Sequence, residues 1–146
     1  MSAWDTFDRI QDGQRLRAGT LLFDRSFAVA FESGLRIATQ GAKVPVYVLS
    51  MPCFASKTDD GQYRNDAVRR QQLNTLAEAV VRRVPGAEYV DLAAFTCDEG
   101  TAISKARSKA LYLDGVHWSP QGGRALWSLL LQRWQADGVM KPARGD

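Results

Sequence analysis

The sequence predicts an α/β protein built around a parallel sheet. Segments with helical periodicity alternate with strand-like segments in the order helix, strand, helix, strand, helix. That alternation, at this spacing, is how a chain makes parallel strands with helices packed on them. The chain's 146 residues, 45% apolar and 24% charged, suit one soluble globular domain.

The first helix is read over residues 20 to 40. Leu22, Phe23, Phe27, Ala30, Phe31, Gly34, Leu35 and Ala38 recur at steps of three and four, and Gly41 follows as a stop. VPVYVLS, residues 44 to 50, is a β-branched and aromatic run of the kind found in a buried strand. Met51-Pro52-Cys53 breaks it, and a polar loop continues to about Asn65. In the next helix Leu73, Leu76, Ala77, Val80, Val81 and Val84 share a face, and Pro85-Gly86 ends it. AEYVDL, Ala87 to Leu92, is the second strand. A polar stretch of helical or irregular character then reaches Ala110. The last helix opens with Ser119 as N-cap and Pro120 in the first turn, and offers Leu126, Trp127, Leu130, Leu131 and Trp134 as its apolar face. Trp127 and Trp134, seven residues apart, are expected in the core. Two strands make a meagre sheet, and Ala3 to Ile10 could add at most the end of a third.

Charge and composition narrow the function. The net charge is +3, with basic residues scattered. Arg69-Arg70 and Arg82-Arg83 fall in an amphipathic pattern and read as a solvated helix face, so no nucleic-acid partner is expected. No apolar run is long enough to span a bilayer, and the polar, partly acidic N-terminal stretch is no targeting signal.

The chemistry lies in YLDGVHWSPQGG, residues 112 to 123, which holds the only histidine. Asp114 stands three positions before His117, across a turn that Gly115 eases. Such a pair suits acyl transfer: the imidazole takes a proton from a hydroxyl and returns it to the leaving group. The aspartate fixes the ring's tautomer and stabilises the imidazolium. Trp118 has two readings, as the wall of an acyl or sugar pocket or as packing for the last helix. Loop 56–65 lies beyond a strand's C-terminal end, where open α/β sheets build sites, and is read as solvated.

LDGVHWSPQGG resembles the last block of the SGNH/GDSL hydrolases, Asp–x–x–His running into the final helix. Upstream, WDTFDRIQDGQRLRAGTLLFD, GAKVPVYVLSMPCF, RRQQLNTLAEAV and AEYVDLAAFTC resemble the SGNH domain at the extracytoplasmic C-terminus of some membrane acyltransferases. The resemblance implies a three-layer, flavodoxin-like α/β/α fold and a Ser–His–Asp triad, with His117 as general base and Asp114 orienting it. It implies esterase or O-acyl-transfer activity without a cofactor. The expected partners are a small acyl ester or acylated glycan, together with a membrane acyltransferase domain upstream. The location implied is the extracytoplasmic face of the membrane or the periplasm.

The departures are definite. The chain has no Gly–Asp–Ser and lacks the family's oxyanion-hole glycine and the Asn of Gly–x–Asn–Asp. Of its serines, Ser50, at a strand end, is the only one in a suitable position class. The expectation is a truncated domain lacking its first strands, with little or no hydrolytic activity. The second reading is a non-catalytic α/β module that binds carbohydrate or protein and keeps Asp114–His117 as a structural hydrogen bond.

Cys53 and Cys97 follow the two strands and fall near one sheet edge, as two thiols or one bridge. The extracytoplasmic location implied by the resemblance favours the bridge, which would contribute roughly 3 to 4 kcal/mol. Two cysteines and one distant histidine lack metal-ligand spacing.

Overall fold

The computed structural model describes residues 7–58, 61–99 and 102–139. Met1 to Thr6, which include half of the proposed third-strand segment, lie outside them.

The chain is a mixed α/β structure with a small parallel sheet. It opens with a hairpin, β1 (Arg9–Gln11) and β2 (Gln14–Leu16), in antiparallel register. Asp12 and Gly13 both take positive φ, 50° and 75°, the two-residue turn that matches strand twist. Asp8 ties the hairpin's base down by accepting from Arg15, Arg69 and the Ala18 amide.

Helix α1 (Leu21–Thr39) is capped by the Thr20 hydroxyl. Its buried residues are Phe23, Phe27, Leu35 and Thr39, while Leu22, Ala30, Gly34 and Ala38 are exposed. The apolar set read from the sequence was therefore too wide, and within it Phe23, Phe27, Phe31 and Leu35 meet the core. Strand β3 (Val46–Leu49) pairs in parallel with β4 (Ala87–Val90), Val46 opposite Ala87 and Leu49 opposite Val90. The short α2 (Gly61–Arg64) and long α3 (Ala67–Val81) connect them. Asp66 caps α3 by accepting from the Val68 and Arg69 amides.

Side chains alternate across the two strands. Val46, Val48, Ala87 and Tyr89 face a core of Leu35 from α1, Val80 and Val81 from α3, and Val84 from the turn after it. The opposite face meets α6 (Pro120–Ala136): Tyr47 lies edge-on to Trp134 at 5.9 Å and hydrogen-bonds Asp137. A second cluster joins Leu16, Phe23, Phe27, Met51 and Leu73, so the hairpin closes the end of the α1–α3 layer.

Three expectations need correction. Trp127 is 58% exposed and Trp134 half-buried, so this pair is not core. Of the expected apolar face, Leu130 is the residue that is buried. Arg70 is buried, not part of a solvated face; Arg69 and Arg82 do meet carboxylates, Asp8 and Glu78. The second strand stops at Val90, because Asp91 turns its carboxylate onto the Ala94 amide and caps α4 (Leu92–Thr96). The polar stretch before the motif resolves into α5 (Lys105–Leu111), capped by Ser104.

No helix among the described residues is long and apolar enough to cross a membrane.

Candidate active site

The site is assembled on the segment that leaves β3. Residues 51–56 form no regular structure, so their buried backbone groups need other partners. Asn74 clips Met51, its Oδ1 accepting from the Met51 amide at 2.7 Å and its Nδ2 donating to the Met51 carbonyl at 3.0 Å. Asn65 does the same for Ser56 at 2.9 Å in both directions. Between them the Thr96 hydroxyl accepts from the Cys53 amide, and the Tyr112 hydroxyl donates to the Cys53 carbonyl at 2.8 Å. Burial raises the Tyr112 phenol well above its ordinary value, so it remains a neutral donor.

Cys53 and Cys97 form a disulfide with Cα atoms 5.2 Å apart, and both are buried. The bridge joins the segment after β3 to the end of α4, as the expected sheet-edge placement required. Among the described residues no group of His, Cys, Asp and Glu has the makings of a metal site.

The dyad loop docks on this clamped segment. Ala55 donates its amide to the Gly115 carbonyl at 2.9 Å. Gly115 has φ +89°, and a Cβ there would collide with the Ala55 carbonyl. Only glycine fits both the backbone angle and the approach. The loop is closed by a Tyr112–Trp118 bridge and by the Leu113 amide donating to the His117 carbonyl. Below it, the Ser119 side chain donates to the Ala110 carbonyl and caps α6 by accepting from Gly122. A Cβ at Gly122 would strike the Leu111 carbonyl, so α6 can approach α5 this closely only with glycine there.

Asp114 divides its two oxygens. Oδ1 accepts from the Val116 and His117 amides at 3.0 and 2.8 Å, which fixes the turn. Oδ2 lies 2.7 Å from His117 Nδ1. With the carboxylate as acceptor, Nδ1 carries the proton and Nε2 keeps its lone pair. The His117 amide, the His117 ring and the Val116 amide hold the Asp114 carboxyl well below the usual carboxylate range. The pair is open to solvent, with side-chain exposures of 75% for His117 and 56% for Asp114. A substrate can therefore reach it.

Asp114 and His117 line a cavity of about 740 Å³ together with Ser56, Lys57, Ser108 and Tyr112. Trp118, a sequence candidate, packs on Tyr112 with ring centroids 4.9 Å apart and is not among the lining residues described. Ser50 is committed elsewhere: it is buried, donates to Asp91 and accepts from the Ala93 amide. Ser56 and Ser108, neither of them in a Gly–Asp–Ser motif, line the cavity. Among the described residues no serine hydroxyl is hydrogen-bonded to His117. The cavity-lining set on α5 and at its C-cap was legible in principle, since Lys105, Ser108, Lys109 and Tyr112 repeat at helical spacing.

Neither a protein-family model nor a curated protein sequence matches this chain.

Proposed function

We propose that Asp114–His117 is the base pair of an ester-hydrolysing or O-acyl-transferring site of the SGNH type, acting on acyl esters of cell-surface carbohydrate. The observation that carries it is the 2.7 Å contact between Asp114 Oδ2 and His117 Nδ1 at the wall of an open cavity. In this reading His117 Nε2 removes the proton from an attacking hydroxyl as its oxygen bonds to the acyl carbon. Collapse of the tetrahedral intermediate breaks the ester bond, and the same nitrogen returns the proton to the leaving alkoxide. Asp114 stays ionised throughout and stabilises the imidazolium.

The supporting features extend beyond the dyad. Helices on both faces of a parallel pair suit the three-layer, flavodoxin-like arrangement of that family, with the site beyond the strands' C-terminal ends. The disulfide suits an extracytoplasmic location. The attacking hydroxyl has no assigned residue and the family's oxyanion-hole glycine and asparagine are absent, so the reading expects only slow hydrolysis that depends on His117.

Hydrolysis of 4-nitrophenyl acetate by the full chain tests this. The reading expects slow hydrolysis that exceeds free imidazole at equal concentration, falls to that of buffer in His117→Ala, and is reduced in Asp114→Asn. Equal rates for wild type and His117→Ala would overturn it.

A further inference from the structure

The cavity beside His117 is electrostatically one-sided. Its described lining holds four cationic side chains, Lys57, Arg64, Lys105 and Lys109, against one carboxylate, Asp114. That carboxylate is already engaged by two backbone amides and the His117 ring. The placement on α5 is selective. Lys105 and Lys109, one turn apart, line the cavity with Ser108 between them and Tyr112 a turn further on. Arg107, on the other side of the same helix, is instead held by Asp98 at 3.1 Å and by the Phe95 and Cys97 carbonyls. Among the described residues no carboxylate pairs with Lys57, Lys105 or Lys109. Asp59 and Asp60 follow Lys57 in sequence, so the weight falls on the two lysines of α5.

A solvated lysine face is the ordinary state of a surface helix. Two features set this one apart. The lysines line the same cavity as His117, and Ile103, Leu113 and Val116 line it too. Such a wall sorts a ligand by parts: an apolar acyl group against the aliphatic side chains, a negative group against the ammonium groups. Cations gathered in a cleft reinforce one another's potential there. Lysines act as point charges on either a carboxylate or a phosphate, without the bidentate geometry that selects one of them.

We infer that this site takes an anionic substrate, a carboxylate- or phosphate-bearing sugar held by Lys105 and Lys109 with its hydroxyl or ester directed at His117. The inference deepens the acyl-transfer reading and borrows from it that His117 faces substrate.

Because His117 is the only histidine, its imidazole signals report on the site alone. The isotope-labelled full chain would be titrated with glucose, glucuronate and glucose 6-phosphate while the His117 ring signals are followed by NMR. The expected result is a saturable shift with at least one anionic sugar, at a midpoint about three- to tenfold below that for glucose. Added salt should weaken it, and the double variant Lys105→Gln/Lys109→Gln should abolish the preference. Whichever anionic sugar binds more tightly identifies carboxylate or phosphate as the group selected. The backbone amide spectrum of the variant confirms that it is folded; if it is not, the single variants Lys105→Gln and Lys109→Gln carry the comparison. Equal midpoints for the three sugars, no shift with any of them, or an unchanged preference in the folded lysine variants would overturn the inference. Anion-selective shifts in a chain that fails the 4-nitrophenyl acetate test would uphold it and overturn only the ester chemistry.

Discussion

Asp114 does two things at once, and its neighbour Gly115 makes both possible. One carboxylate oxygen closes the turn on the Val116 and His117 amides, and the other orients the His117 ring. Replacing Gly115 with alanine puts a side chain at φ +89° and against the Ala55 carbonyl. We expect a loss of about 1–3 kcal/mol in urea unfolding, together with loss of the Ala55–Gly115 hydrogen bond in amide exchange. Asp114 also sets a pH dependence. Its carboxyl is held below the usual range, chiefly by the His117 amide and ring. A group whose folded value is depressed stabilises the fold above its unfolded value, near about pH 4, and that contribution fades as pH falls toward the folded value. Thermal midpoints of wild type and Asp114→Asn should therefore converge as pH drops below about 4. A gap that persists unchanged under strongly acidic conditions would contradict this.

At the scale of elements, the site depends on the irregular segment after β3 more than on any helix. That segment is held by Asn74, Thr96, Tyr112 and Asn65, from four separate parts of the chain. Tyr112→Phe leaves the buried Cys53 carbonyl without its donor, and we expect a loss of about 1–3 kcal/mol in chemical denaturation. Replacing both cysteines with serine releases a loop with ends 44 residues apart. A loss of about 2–5 kcal/mol is expected, with the dyad loop loosened because Ala55 carries it. None of these clamps has a sequence signature: an asparagine that hydrogen-bonds a distant backbone looks like any other polar residue on a helix. The local signals were more legible. Asp12-Gly13 marks a hairpin, and Asp91 before Leu-Ala-Ala-Phe marks a helix start that the strand reading ran past.

For the molecule as a whole, periodicity located α1, α3, α6 and both parallel strands, because each buries a face against the next. It misjudged what each face meets. Trp127 and Leu22 fit a helical stripe yet lie outside the described core, since a period states which residues share a side and not whether that side is covered. Arg70 erred the other way: adjacency to Arg69 suggested solvent, but its helical position turns it inward. The Asp114–His117 pair was readable because its three-residue spacing is a local geometric constraint. The cationic wall was not read, because it joins α5 to loop residues that are distant in sequence.

In the proposed reading Asp114 holds His117 as a base, protonated on Nδ1 with a free lone pair on Nε2. The ¹⁵N imidazole spectrum of this single histidine, above its titration, tests it directly. We expect the Nδ1–H tautomer in the wild type and a switch toward Nε2–H in Asp114→Asn, whose amide can donate to Nδ1. A wild-type ring protonated on Nε2, or a spectrum that Asp114→Asn leaves unchanged, would contradict it.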